Sequence, residues 1–385
     1  MKLLMVAGEL SGDAHGGALL ANLKRHLPGL EVYGIGGPRM VAAGLRPLHP
    51  LSDLQVHGLL EVVRHLPRLY RILWEIEASM DTERPDAVLL VDYPGFNLKL
   101  AAGAKSRGIP VWFYSSPQVW AWRGGRLRTI AKVVDHMIVL FPFEVPLYEK
   151  AGVPVEFHGH PLVGTGASDA DVAELRTWLR ADHHLPLVAV MPGSRPSEIR
   201  RILPTLLQGL KLAGERGFHG RYVLPLAPNL DGKEVGAMIA AAGVPIDVVQ
   251  NAFLPLLRMA DFAVSASGTA TLQLAMAGVP FITVYRVSPL TYFIARRYAY
   301  VKHFAMANIL AGHEVVPELL QEDLSPEKVC EALMALAQDE PRRRRMRDEL
   351  LRVTATLGAP GAYERAAAAI AGRLTNLRPA AGARP

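Results

Sequence analysis

The 385-residue sequence predicts an α/β protein: two Rossmann-like domains, each an open parallel sheet, facing each other across a cleft. Three observations predict it. Short apolar runs alternate with helix-length segments along nearly the whole chain, the pattern of repeated βαβ units. Three of these runs end in glycine-rich turns that lead into helix-forming sequence, one near the start and two in the second half. The alternation also restarts after a small, polar stretch at 164–171, which reads as a linker.

Taken in order, Lys2–Ala7 is a buried parallel strand, and Gly-Glu-Leu-Ser-Gly-Asp at 8–13 is its exit loop. A helix follows at 14–27, closed by Pro28-Gly29. Residues 31–35 form a strand, and 34–40 a turn into the next helix. Further strands fall at Ala87–Val91, Val111–Tyr114, 136–140 and 155–158. After the linker, strands are expected at Leu187–Met191, Arg221–Leu226, 246–249, 262–265 and Phe281–Tyr285. The implied domains are 1–165 and 166–345, with helices at 346–375 packing back on the first domain and a disordered tail at 376–385.

Composition narrows the class. Half the residues are hydrophobic, enough to bury two cores. The net charge of +6 suits anionic ligands, an anionic membrane surface or nucleic acid. The single cysteine, Cys330, lies in an apparent helix and reads as a buried structural thiol; no disulfide framework can form, which fits the cytosol. No stretch approaches the ~20 apolar residues that span a bilayer, and the N-terminus does not read as a signal peptide. Membrane contact is therefore expected to be peripheral.

The turns Pro192-Gly193-Ser194-Arg195 and Ser267-Gly268-Thr269-Ala270-Thr271 follow buried strands and open helices. Such turns aim backbone N–H groups and a helix N-terminus at a phosphate, and two of them suggest a nucleotide diphosphate. Arg195 would neutralise a departing diphosphate; its other reading is a surface arginine paired with Glu198. The 8–16 stretch departs from the dinucleotide fingerprint. There Glu9 and Asp13 suit sugar hydroxyls, unless Ser11 or Asp13 caps the helix. Asp92 closes an apolar strand before Pro94-Gly95, so it is either a base with a raised pKa or an Asx-turn acceptor.

Other features carry a bland reading beside the sharp one. The segment 116–123 sets Trp120 and Trp122 beside Arg123, as packing or as the wall of an acceptor site. Asp169-Ala170-Asp171 matches a metal-dependent transferase pattern, but its place at a helix start reads as capping; His158, His160, His183 and His184 form no ligand set, so no metal is expected. Residues 56–73 mix leucine and valine with arginine, a basic amphipathic segment for anionic lipid or an ordinary surface helix.

In their order these pieces resemble the lipid-A-disaccharide synthase family, inverting glycosyltransferases of the GT-B architecture. The resemblance runs through Ala7-Gly8-Glu9-Leu10-Ser11-Gly12-Asp13, Gly34-Ile35-Gly36-Gly37-Pro38-Arg39-Met40, Asp92-Tyr93-Pro94-Gly95-Phe96-Asn97, 116–123, 140–144, 192–198, 265–272, Tyr285-Arg286, Asn308-Ile309-Leu310-Ala311-Gly312 and 316–321. It implies that UDP-2,3-diacylglucosamine and 2,3-diacylglucosamine 1-phosphate (lipid X) give a β-1,6-linked disaccharide 1-phosphate and UDP. Asp92 and Arg195 are then catalytic. Gly193, Ser194, Arg195, Ser267, Gly268, Thr269, Gln273 and Asn308 hold UDP. Glu9, Ser11, Gly12, Asp13, Asn97, Gln118, Trp120 and Arg123 border the sugars and the acceptor. The family usually has Glu where Gln273 stands, so the ribose contact loses a charge. The resemblance also implies no cofactor or metal, no nucleic-acid partner, and the inner leaflet of the cytoplasmic membrane as the working surface; apolar surface exposed for lipid has a second reading as the interface of a homodimer. From the residues alone, two alternatives stay open: a UDP-sugar 2-epimerase on the same two-domain plan, and a nucleic-acid-binding protein.

Overall fold

The computed structural model describes residues 1–54, 59–117, 119–120, 125–179, 185–288, 292 and 302–377; of 59–65 it describes the helical backbone only. The expected tail therefore lies almost wholly outside the described residues. The chain divides into two compact units, Met1–Gly164 with Gly358–Pro385, and Thr165–Leu357.

The first unit holds a seven-stranded parallel sheet of β1 (Lys2–Ala7), β2 (Glu31–Gly36), β3 (Leu45–Pro50), β4 (Ala87–Val91), β5 (Val111–Tyr114), β6 (His136–Val139) and β7 (Val155–Phe157). Their order is β3-β2-β1-β4-β5-β6-β7, so the winding reverses between β1 and β4. The central strands read as continuous apolar runs because both faces are covered: every residue of Ala87–Val91 is buried. One face packs against α2 (Leu59–Glu83) through Ile72, Ile76 and Met80. The other packs against α1 (Leu10–His26) through Leu19, Leu20 and Leu23.

The second unit repeats the plan with β8 (Leu187–Met191), β9 (Arg221–Leu226), β10 (Ile246–Gln250), β11 (Phe262–Ala266), β12 (Phe281–Tyr285) and β13 (Glu318–Leu320). Their order, β10-β9-β8-β11-β12-β13, puts this reversal between β8 and β11. One core cluster fills this unit, running from Leu175 to Leu350 and enclosing Cys330 at 0% exposure.

The C-terminal helices divide differently from the expectation. The helix Glu340–Thr354 stays with the second unit, where Met346, Leu350 and Val353 are buried. Only Ala362–Asn376 belongs to the first, packing Ala366, Ala367, Ile370 and Leu374 into the core that α1 shares. Two arginines fasten it: Arg365 donates to the His158 carbonyl at 2.7 and 3.0 Å, and Arg373 pairs with Glu156. The return to the first unit is thus at Gly358, not at residue 346.

The amphipathic 56–73 segment is only partly described. Leu69 packs against the core and Leu73 is buried within it, so these two do not face outward. Among the described side chains, the exposed apolar ones on this helix are Leu66, Tyr70 and Trp74, the last 77% exposed.

Candidate active site

At the reversal of the first sheet, β1 enters α1 through Gly8 and Glu9 alone. Glu9 is extended (φ −139°, ψ 163°) and occupies the N-cap, so Ser11, Gly12 and Asp13 stand in the first helical turn rather than in an exit loop. Glycine makes the passage possible: a Cβ on Gly8 would fall 2.1 Å from the Tyr93 ring. Glu9 and Ser11 are exposed and free to meet a ligand, whereas Gly12 is buried. Asp13 does not face a ligand. It is 2% exposed, and its carboxylate accepts from the backbone N–H groups of Gly37 (2.8 Å), Arg39 (3.1 Å) and Met40 (3.0 Å). Three donors at the start of the short helix Pro38–Ala42 hold its charge, so the expected sugar contact becomes a brace between two helix starts.

β4 ends in an unusual turn. Asp92 and Tyr93 both lie in the left-handed region, at φ 52° and 47°. Three ties hold them there. Asp92 N donates to Tyr114 O at 3.0 Å, Tyr93 OH donates to Leu54 O at 2.8 Å, and Asn97 Nδ2 donates to Asp92 O at 2.7 Å. Asn97 Nδ2 also reaches Val91 O (3.3 Å) and Val6 O (3.4 Å), joining the ends of β4 and β1. Asn97 is 0% exposed, so it anchors the turn instead of touching the acceptor as expected. Asp92 itself stays half-open. Burial pushes its carboxyl above the usual range and the nearby Glu9 charge pushes it further, while the Tyr93 amide pulls partly back. A carboxylate so tuned is a better proton acceptor near neutrality.

Just past β5, Ser115 is also left-handed (φ 67°) and leads into Ser116 and Pro117. Gln118, Trp122 and Arg123 lie outside the described residues. Trp120 stands edge-on to Phe143, ring centroids 5.3 Å apart.

The second unit has a cavity of about 660 Å³ at the carboxyl ends of its strands. It brings together Gly193, Ser194 and Arg195 from the β8 exit and Ser267, Gly268 and Thr269 from the β11 exit. Gly193 is required there: its φ is 126°, and a Cβ would meet Glu198 Oε2 at 2.5 Å. Glu198 is the surprise. Its Oε2 accepts from Ser194 N (2.9 Å) and Arg195 N (3.2 Å), and its Oε1 accepts from the Arg195 guanidinium at 3.2 Å. The amides expected for a phosphate are therefore held by the capping box of the helix Pro196–Glu215. The Arg195 side chain is 74% exposed and keeps further donors for an anion.

At the other rim, the helix Thr269–Met276 opens on Gly268, and its first turn lines the cavity. Gln273, half-buried on that helix, is not among the lining residues. Neither is Asn308, which is 0% exposed. Its Nδ2 donates to Val316 O (2.9 Å) and Glu318 Oε1 (2.8 Å); its Oδ1 accepts from Val315 N (2.7 Å) and Val316 N (2.9 Å). That uses the whole amide, so the expected UDP contact is instead an internal brace. Glu318 extends the brace, accepting from Ala305 N at 2.8 Å and Phe304 N at 3.0 Å. The Phe304 carbonyl in turn accepts from Ser267 Oγ at 3.2 Å.

Sequence reasoning missed the other half of this cavity: Pro225 to Pro228 at the end of β9, and Asn251 with Phe253 to Pro255 after β10. The signal was present, since Asn251 (φ 54°) ends an apolar strand just as Asp92 does. The two acids of 169–171 have partners of their own: Asp171 exchanges hydrogen bonds with Ser168, and Asp169 pairs with Arg258.

Two Rossmann-like units with candidate groups at both reversal points define a protein of the GT-B fold class. Solved structures agree on the fold. CalG4, the calicheamicin glycosyltransferase, matches with TM-score 0.61 at 18% identity, covering 98% of this chain and 99% of that one. MurG of Acinetobacter baumannii matches with TM-score 0.60 at 15% identity, covering 96% and 98%. UDP-GlcNAc 2-epimerase of Neisseria meningitidis matches with TM-score 0.60 at 14%, covering 98% and 100%. The family model described as Lipid-A-disaccharide synthetase matches residues 3–371. The lipid-A-disaccharide synthase of Syntrophus aciditrophicus is 42% identical over 366 residues, 95% of this chain and 96% of the relative. That of Geobacter metallireducens is 40% identical over 366 residues, 95% of each. The chain belongs to the lipid-A-disaccharide synthase family, and it is a glycosyltransferase.

Proposed function

We infer that the enzyme transfers the sugar of UDP-2,3-diacylglucosamine to the 6-hydroxyl of 2,3-diacylglucosamine 1-phosphate, with inversion, in lipid A synthesis. One observation supports this most: turns that read as sugar-side and nucleotide-side motifs stand at the reversal points of two separate sheets, where α/β folds bind ligands. In the proposed step the acceptor oxygen forms a bond to the donor's anomeric carbon as the bond to the β-phosphate oxygen breaks. The hydroxyl proton passes to Asp92, and the electron pair of the broken bond leaves on UDP. Arg195 and the first turn of Thr269–Met276 balance that charge without a metal; one such donor is worth about 3 kcal/mol, or ~100-fold in rate. Glu9 and Ser11 border the sugars.

The acceptor and donor both carry acyl chains, so the enzyme works on the inner leaflet of the cytoplasmic membrane. Among the described residues no helix is long and apolar enough to cross a membrane. Exposed Tyr70 and Trp74, on the same helix as Arg68 and Arg71, suit shallow contact with anionic lipid.

The test is UDP release from UDP-2,3-diacylglucosamine with and without the lipid acceptor, in detergent and EDTA. Acceptor-dependent release with a β-linked disaccharide product is expected. Turnover of UDP-GlcNAc alone would favour the epimerase reading, and a requirement for added divalent cation would overturn the metal-free step.

A further inference from the structure

Behind the 116–123 segment lies a buried polar cluster that the proposed reaction does not use. Glu144 ends a short 3-10 turn, Pro142–Glu144, and is 2% exposed. Its Oε2 accepts from Phe141 N at 3.1 Å. Ser116 and Trp120 both lie near enough to favour its charged form. Ser116 Oγ also shares a 2.6 Å hydrogen bond with Tyr148 OH on the helix Val145–Lys150. The Trp120 indole N–H is buried and makes no hydrogen bond of good geometry, although Glu144 is close enough to feel it. Phe143 packs on the Trp120 ring, and Phe141 stacks on Phe143 with centroids 5.5 Å apart. All of this sits at the carboxyl end of β5 and β6, next to the Asp92 turn, whose amide bonds to Tyr114.

We propose that Glu144 is a positioning residue: its carboxylate steadies Ser116 and Trp120 beside the Asp92 turn and so shapes the site that receives the acceptor sugar. The inference rests on the acceptor-side reading of that segment given above. A buried carboxylate is an expensive group to keep unless its acceptor strength is used; here the Phe141 amide bonds it, and Ser116 and Trp120 lie close enough to favour its charge. An amide of the same shape would turn an N–H₂ toward those donors.

The anchor has a pH consequence. Burial pushes Glu144 up to about 7, against the pull of the Phe141 amide and of Ser116. The titratable groups around it change elsewhere: burial raises the Tyr148 phenol, and lowers His160, tilted against Phe141 at 5.0 Å, to about 4. Between pH 6 and pH 8 the cluster therefore changes chiefly through Glu144. As pH falls across that range the anchor is protonated and the Trp120 indole loses the negative charge beside it.

Two measurements decide it. The first is the KM for the lipid acceptor at pH 6 and pH 8 in wild type and Glu144→Gln. In wild type KM should rise several-fold toward pH 6. In Glu144→Gln it should be high and flat, with UDP affinity unchanged and kcat little affected. The second needs no substrate: ¹⁹F NMR of protein labelled with 5-fluorotryptophan, the Trp120 line assigned with Trp120→Phe. That line should titrate with a midpoint near 7 in wild type and stay flat in Glu144→Gln. A Trp120 line that does not titrate, or titrates equally in Glu144→Gln, overturns the proposal whatever the substrate. A titrating line with no lipid turnover would leave the anchor standing and sink the reaction assigned above.

Discussion

Asp92 and Tyr93 hold consecutive left-handed conformations that L-residues adopt only at a cost of about 1–3 kcal/mol each. Such a turn persists because neighbours over-determine it, and Asn97 is the chief of them, bonding three carbonyls from full burial. Replacing it, Asn97→Ala, strands those carbonyls and lets the turn relax. We predict a loss of about 1–3 kcal/mol in stability and a fall in kcat of about 100-fold from a misplaced carboxylate. UDP affinity should be unchanged, because the cavity assigned to UDP is in the other unit. Steady-state kinetics with UDP calorimetry check this, and a wild-type kcat would remove Asn97 from the argument. Gly8→Ala tests the same turn from the β1 side. Its Cβ would overlap the Tyr93 ring, so thermal stability and kcat should fall together. Strand-end residues such as Asp92, Gly193 and Ser267 were legible in the sequence because a buried apolar run announces its own exit. Asp13, Asn97 and Asn308 were legible as important but not in their role. A polar side chain in a turn reads the same whether it faces a ligand or a distant backbone amide. Asp13, for example, finds its partners 24 to 27 residues away.

Among the elements, the helix Ala362–Asn376 is the one whose place local sequence does not announce. It returns to cover α1 and β1 after the whole second unit has intervened, burying an alanine-rich stripe that lets two helices approach closely. Ile370 is its largest wholly buried side chain on that face, together with Leu374. Ile370→Ala should cost the first unit about 2–5 kcal/mol. Hydrogen exchange would show it as faster exchange in Lys2–Ala7, with Leu187–Met191 unmoved; equal loosening of both strands would mean that the helix does not serve one unit alone. The expected return at 346 came too early because Met346, Leu350 and Val353 have the same helical spacing as Ile370 and Leu374. Spacing shows that a face is apolar, not which core receives it. Central strands were readable for the opposite reason: both faces are buried, so the apolar run is continuous. The edge strand Leu45–Pro50 was not, since its outer side needs no ladder partner and tolerates Pro47 and Pro50. The three-residue edge strand Glu318–Leu320 was too short to carry a pattern.

At the scale of the whole molecule, each unit has its own core and its own response to pH, and the first carries the opposed groups. Burial raises Glu144 to about 7 and raises Asp92; it lowers His160 to about 4 and lowers His15 and His136. A carboxyl raised on folding favours the folded state at low pH, and that contribution is lost as pH climbs from its unfolded value, near 4.5, through its folded one. The lowered histidines act in the other sense, giving stability above about 6.5 that is lost as pH falls. In the wild type the two trends offset across pH 4.5 to 7, so the pH dependence of the first unit should be shallow. Glu144→Gln removes the largest acid contribution and leaves the histidines in place. The stability of the variant relative to wild type should therefore increase with pH from 5 to 8, by something on the order of 3 kcal/mol. Comparing denaturant midpoints of both proteins at both pH values isolates this change, because any hydrogen bonds lost to the amide are lost at either pH. A difference that is the same at pH 5 and pH 8 would mean that Glu144 ionises as it would in water, and that its burial costs nothing. A widening difference would mean that the first unit gives up stability to keep a charge beside its sugar-side turn, as expected of a group retained for positioning rather than for folding.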